Sequence, residues 1–559
     1  MKPVGQFEDR TRDLAYRLVS WPSVTGTADE AGFAHRLAEL LRQMPYFRDH
    51  PDDLRLAPIP GDPLGRSNVM ALVRGRGSDT VLLSGHFDVV PVDDYTDLAH
   101  LSGSPDELRQ ALIHRLRSTG GSSQALRDLE SGDFVPGRGM LDMKSGLAAG
   151  IAVLEHFASL PDRNGNLLLI ATPDEEDRSA GMRAAAQMLP DFLRNQNLTA
   201  PLAINLDAIC DNNDGADGRV VTMGTIGKLL LTAFVVGKDA HACYPLDGVN
   251  GAYLAAELVT EMEFAPELGE TSGHELASPP TVLGLRDLKP NYNVTTPSRT
   301  WVFWNVLMHR RSPADVLGIA LSIAQRAADR AAVRLRERAQ SVPNAPELAP
   351  AWSSIQVLTI AELLARAREV DPEFESAFAQ EADTLARRAD LDLPTRSRML
   401  VERAWTASKL EGPAIVVGFG SVPYPSVAWQ AGTEGERVEA LIDEAMAATS
   451  DQYGISLKKI RFFPAISDMS FLGPVDAEGM RVAAENTPIW GSSFQWDVAG
   501  QATPAIPIIN IGPWGRDYHH WLERAHGDYL FRVLPDFVWN VAQRVLEVGA
   551  VESSNRGDA

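Results

Sequence analysis

Leu167-Leu168-Leu169-Ile170-Ala171-Thr172-Pro173-Asp174-Glu175-Glu176-Asp177 passes from an apolar run straight into a row of acids. A short apolar run closed by a turn signal reads as a buried strand. Consecutive carboxylates at a strand end repel one another, so an exposed loop or an adjacent cation has to relieve them. Similar runs stand at Val69-Met70-Ala71-Leu72-Val73, Val81-Leu82-Leu83 and Leu202-Ala203-Ile204-Asn205-Leu206, with helical segments such as Ser145 to Leu160 between some of them. That texture predicts an α/β sheet with buried strands. Ligands collect at the carboxyl ends of strands in such sheets, where several of the charged motifs fall.

Working outward, His86 and Asp88 follow the run Val81–Leu83 two positions apart, so in extended chain their side chains share a face. An imidazole there can bind a metal while the carboxylate fixes its ring. Asp142 lies in the glycine-flanked loop Gly137-Arg138-Gly139-Met140-Leu141-Asp142, ahead of a helix beginning near Ser145. A carboxylate can bridge two cations, which a single nitrogen cannot; the alternative for Asp142 is simple stabilisation by the helix macrodipole. Of two adjacent glutamates, one can bind metal while the other moves a proton. Asn205-Leu206-Asp207 and Asp517-Tyr518-His519-His520 complete the inventory of imidazoles and carboxylates that a two-metal hydrolase needs.

The remaining composition narrows the setting. A chain of 559 residues exceeds what one core organises, which predicts two or more domains. The formal charge of −22 disfavours nucleic acid and anionic membrane partners. Apolar stretches are too short to cross a bilayer, and Met1 to Arg10 becomes charged before any signal-like run, so a cytoplasmic location is expected. Cys210 and Cys243 alone cannot build a disulfide scaffold or a cysteine-rich zinc site, and both read as small buried fillers.

Texture divides the chain into a catalytic domain over 1–214, an inserted α+β layer of ferredoxin-like type over 215–430, and a return to the catalytic domain over 431–559. Strands of the inserted layer are expected at Val221–Met223, Leu229–Val236, Val282–Leu285 and Thr300–Met308, and extra helices at about 353–410 enlarge it. A further helix-like stretch, Pro105 to Glu130, lies between Asp88 and Asp142 and could reshape the substrate entrance.

The chain resembles the M20 metallopeptidase and amidohydrolase family. The resemblance is carried by Ser23-Val24-Thr25-Gly26, Ser84-Gly85-His86-Phe87-Asp88-Val89-Val90-Pro91, Gly137 to Gly146, Asp174-Glu175-Glu176, Gly237-Lys238-Asp239-Ala240-His241-Ala242, Asn293 with Pro297, and His519 with Glu523. Ile466-Ser467-Asp468-Met469-Ser470-Phe471, Gly512 to Asp517 and the long insertion look most like the branch containing the arginine-utilisation protein RocB. The resemblance implies a zinc-exopeptidase-like catalytic domain, a mixed sheet between helices, with a lid that can dimerise. It implies His86 and Asp207 on one divalent metal ion, Glu176 and His519 on the other, and Asp142 between them. Zinc is the expected ion, with cobalt or manganese as alternatives. Asp88 would orient His86, Glu175 would be the general base for a metal-activated water, and His241 would stabilise the oxyanion, often across a dimer interface in related enzymes. His520 competes with its neighbour as ligand, and the spacing to Glu523 favours His519. Arg310, Arg311 or Asn293 is expected to bind a substrate carboxylate. The implied activity is hydrolysis of an amide or peptide bond in a small substrate, by an N-acyl amino acid deacylase or a dipeptidase or aminopeptidase. A non-catalytic binding protein on the same scaffold is the rival class.

Overall fold

The structure, a computed structural model, describes residues 5–429, 432–494, 496 and 505–557, the side chains of 548–557 excepted. The chain is mixed α/β and forms two compact units, one of Met1–Thr225, Val427–Pro474 and Ala502–Ala559, the other of Ile226–Ser426 and Val475–Gln501. Sequence texture placed a single return to the first domain, at 431. The chain instead crosses back at Val427, leaves again at Val475, and returns after Gln501.

The first unit is built on an eight-stranded mixed sheet in the order Leu54–Pro58, Ser67–Val73, Asn164–Thr172, Arg76–His86, Thr199–Asn205, Ile508–Asn510, Val220–Thr222, Lys458–Ile460. Its central strands carry the uniformly buried apolar runs read from sequence. Arg76–His86 runs parallel to both Asn164–Thr172 and Thr199–Asn205, with His86 level with Thr172 and Ser84 level with Asn205. Three strands therefore end at one edge, and the segments that follow, 86–88, 173–176 and 205–207, emerge side by side.

The helix Lys144–Ser159 is apolar on nearly every face because its first two-thirds is buried. Its Gly146 lies so close to the end of Thr199–Asn205 that any Cβ would be driven into the Leu206 carbonyl. Gly512 presses on the Asp207 carbonyl in the same way. A small sheet in the order Phe134–Pro136, Arg524–His526, Trp514–Arg516, Ile209–Cys210 sits in the same unit.

The second unit has a five-stranded sheet in the order Thr281–Asp287, Arg299–Met308, Gly227–Val236, Ala414–Phe419, Gln356–Thr359. Helices Gly251–Met262 and Pro313–Gln340 and the added helices Ile360–Val370, Phe374–Ala386 and Leu393–Ser408 complete it. One expected strand is misplaced. Val220–Thr222 pairs with Lys458–Ile460 and Asn510 in the first unit, a partnership invisible locally because both partners lie far along the chain. Its place in the second sheet is taken by Ala414–Phe419, beyond the helical insertion. Among the described residues no helix is long and apolar enough to cross a membrane. Cys210 and Cys243 are free, and Cys243 is exposed, which corrects its reading as a buried filler.

Candidate metal centre

Asp142 is the hub. Its Oδ1 lies 3.2 Å from His86 Nε2 and its Oδ2 lies 3.0 Å from His519 Nε2. Around His86 stand Glu175 Oε2 at 3.7 Å and Asp207 Oδ1 at 3.9 Å. Around His519 stands Glu176 Oε2 at 3.2 Å. The side chains thus sort into two groups that share Asp142. His520 instead accepts the Leu522 N–H on Nδ1 at 3.3 Å.

The four consecutive acids are resolved by direction. Asp174 turns inward and accepts from Arg66 at 2.5 Å and from the Ala180 N–H at 3.1 Å. Arg66 also holds Glu30 at 3.0 Å and Asp62 at 2.7 Å, all of them buried. Glu175 and Glu176 face the imidazoles, while Asp177 stays outside with Arg178.

Asp88 has a wider task than orienting a ring. Its Oδ1 accepts the Glu175 N–H at 3.1 Å, and its Oδ2 accepts the Glu176 N–H at 3.2 Å and the Thr25 hydroxyl at 2.9 Å. The His86 ring makes its shorter contact with the Asp88 backbone carbonyl, 3.0 Å from Nδ1, against 3.5 Å to the carboxylate. The N-terminal motif serves the same loop: Ser23 donates to the Phe87 carbonyl at 2.6 Å.

Several contributors were not assigned a task from sequence. Ser467 donates to Asp207 Oδ2 at 3.1 Å and accepts from Asn205 Nδ2 at 3.0 Å. Asn510 accepts the Asp207 N–H at 2.9 Å and donates to its carbonyl at 2.8 Å. Asp468 is buried beside Thr172, whose hydroxyl it accepts at 2.8 Å. Glu523, fully buried, accepts the N–H groups of Gly139, Leu141 and Asp142 on one oxygen and Arg138 on the other. The segment 466–471 and Glu523 were visible as motif pieces; Asn510 carried no signal.

Burial opposes ionisation of Asp142, yet His519 and His86 hold its carboxyl well below the ordinary range. Burial pushes Asp207 up to about 7, with the Asp142 charge adding to it, and raises Glu175 strongly, with Asp207, Glu176 and Asp468 adding to it. His519 is pushed up to about 10: burial works against the charged ring, but Asp142 and Glu176 outweigh it. Glu175, Glu176 and Asp207 thus crowd one another and Asp142 in a way that opposes their ionisation. Such crowding is relieved by positive ions.

The donor set fits such ions. Ligand atoms of His86, Asp142 and Glu176 all lie within 4.8 Å of one another, and Glu176 Oε1 is buried with no hydrogen-bond partner. Imidazole and carboxylate are borderline-hard ligands suited to zinc and its neighbours. The His86 side chain is 2% exposed and that of His519 43%, so the centre opens on its His519 side.

The remaining expected residues stand on the second unit. His241 is exposed, its Nδ1 accepting the Cys243 N–H at 3.1 Å. Arg311 donates to the Gly269 carbonyl at 3.1 Å, Arg310 is exposed, and the Asn293 side chain accepts from Thr295 in its own loop.

Residues 82–485 match the family described as Peptidase family M20/M25/M40. The chain belongs to this family and is an enzyme of the peptidase or amidohydrolase kind. It is 31% identical over 545 residues to the uncharacterized protein YqjN of Bacillus subtilis, covering 95% of this chain and 96% of that one. It is 28% identical over 550 residues to protein RocB of the same organism, covering 96% and 95%. A crystal structure of a tripeptidase from Staphylococcus aureus superposes with a TM-score of 0.50 at 15% identity, covering 97% of this chain and 99% of that one, and shares its fold.

Proposed function

We propose that the chain is a binuclear metallohydrolase that cleaves an amide or peptide bond of a small substrate. The observation that carries this reading is Asp142, whose two oxygens reach one imidazole each. His86 and Asp207 would hold one divalent ion, Glu176 and His519 the other, and Asp142 both. Zinc suits this set, with cobalt or manganese as substitutes. Bound ions of this kind supply Lewis acidity and bring the pKa of water toward neutrality.

Glu175 is the group left to move protons. Its backbone is fixed by Asp88 while its carboxyl stands beside His86, so it can take a proton from the attacking water and return it to the departing amine. Asp88 and Ser467 are positioning residues for the glutamate pair and for Asp207. His241 stabilises the developing oxyanion, reaching the centre from a partner copy in a homodimer. Arg310, Arg311 or Asn293 receives a substrate carboxylate. A cytoplasmic enzyme without nucleic acid or membrane partners suits the charge of −22.

The test is a panel of N-acyl amino acids and dipeptides assayed with the metal-stripped full-length protein after adding zinc, cobalt or manganese. Metal-dependent release of an amine from one class is expected, and the class identifies deacylase or peptidase. Metal binding without turnover of any member would favour the non-catalytic scaffold.

A further inference from the structure

The stretch Pro105 to Glu130 forms a helical hairpin, Pro105–Thr119 and Ser123–Ser131, whose contacts reach the segment that carries His519. The strands Trp514–Arg516 and Arg524–His526 pair with Arg516 opposite Arg524, so residues 517–523 form a loop with those two arginines at its base and His519 on it. Asp128, on the second helix of the hairpin, holds both arginines. Its carboxylate accepts Arg516 at 2.6 Å on each oxygen, and Arg524 at 2.9 and 2.7 Å on Oδ2.

Arg524, almost wholly buried, passes the constraint into the loop. It donates to Asp517 Oδ2 at 2.6 Å and to the Leu522 carbonyl at 2.9 Å. Asp517 and His519 have φ of 56° and 60°, the left-handed region that side-chain-bearing residues adopt only when their surroundings hold them there. The apolar side of the hairpin takes part too: Leu522 is buried among Tyr95, Leu108, Leu112, Ala125 and Leu129. Here two guanidinium groups on one half-buried carboxylate supply directional restraint, which a lysine or a purely apolar contact would lack.

We infer that Asp128 is a positioning residue for the imidazole of His519, acting through Arg516 and Arg524 on the loop that presents it, and that the hairpin braces the metal centre. The inference rests on the proposed role of His519 as a metal ligand. Groups hydrogen-bonded to a metal ligand change affinity by roughly 10- to 100-fold when lost, and a brace acting on the ligand's loop is expected at the lower end of that range.

The experiment is a zinc titration of metal-stripped full-length protein against a chelating indicator, for wild type, Asp128→Asn, Asp517→Asn, His519→Ala and Arg117→Ala, with thermal unfolding of each metal-free form. Arg117 pairs with Glu130 on the exposed side of the same hairpin and controls for general disturbance. Expected is weakening of one zinc site by about 10-fold or more in Asp128→Asn, the site that His519→Ala abolishes, with the other site and Arg117→Ala unchanged. Where Asp128→Asn does not fold, Asp517→Asn carries the test, because it weakens the charged one of the two links from Arg524 into the loop, and the same site should weaken. Wild-type affinity at both sites in the folded Asp128→Asn protein, or in Asp517→Asn if the former does not fold, overturns the brace while leaving His519 a ligand. Equal loss in Arg117→Ala also overturns it. Unchanged zinc binding in His519→Ala overturns the ligand assignment and the brace together.

Discussion

The carboxylate of Glu523 accepts the backbone N–H of Asp142 at 3.3 Å, so the residue that touches both imidazoles is anchored at its main chain by a residue from a distant segment. Arg138 neutralises the same carboxylate at 2.7 Å and reaches Asp94 with its other arm. Glu523→Gln removes the charge but keeps the shape. Breaking a buried pair costs about 3–5 kcal/mol. Chemical denaturation should register a loss of that order, and an unchanged midpoint would sink the view that this pair secures the Asp142 loop.

Glu175→Gln should lower turnover by roughly 10²- to 10⁴-fold, the range of general acid–base catalysis. Metal content by elemental analysis should stay at the wild-type level. A variant with near wild-type rate would remove Glu175 from the proton-transfer role.

Ser467→Ala deletes the hydroxyl that both donates to Asp207 and accepts from Asn205. Zinc affinity should fall by roughly 10-fold or more, as for other partners of ligating carboxylates. Isothermal titration of the stripped protein measures this directly, and a wild-type isotherm would count against it.

Chelation should lower the melting temperature. Ions present at about 100 times their dissociation constant stabilise the folded chain by about 2.7 kcal/mol. Calorimetry before and after dialysis against a chelator reads the difference, and superimposable transitions would mean that no ion is held.

Glu30 gives a prediction away from the centre. Burial, with the Asp88 charge adding to it, raises its carboxyl from 4.5 to about 7 despite Arg66. The unfolded chain then loses this proton at lower pH than the folded chain does, so the wild type forfeits stability as pH rises from 4.5 to about 7. Glu30→Gln cannot titrate, and its stability should gain on the wild type across that window and run parallel outside it. Urea midpoints at a series of pH values check this; a constant offset would refute it.

Much of the first unit was legible because its strands are short, wholly apolar and followed at once by charge. Leu167–Ala171 and Glu175 are neighbours in sequence, so strand and site residue were read together. Pairings between distant segments were not legible. Nothing near Val220 announces Lys458 as its partner, and nothing near Asn510 announces the Asp207 backbone. The return of Val475–Gln501 to the second unit was hidden for the same reason: its Asn486 carbonyl accepts the Phe419 N–H, and its side chain accepts the Ala361 N–H. Short range showed only part of Asp88: adjacency to His86 suggested a ring partner, which the carboxylate approaches at 3.5 Å, but its bonds to the Glu175 and Glu176 N–H groups were not legible.

Ile508–Asn510 lies inside the eight-stranded sheet, hydrogen-bonded to Thr199–Asn205 on one side and Val220–Thr222 on the other. A chain emerging from the ribosome exposes an unpaired edge on Thr199–Asn205 until translation has passed residue 510, and unpaired edges recruit foreign strands. Polypeptides cut short before that point keep the open edge for good and lack His519 as well. A copy truncated before residue 510 therefore combines an exposed strand edge with the loss of a proposed metal ligand.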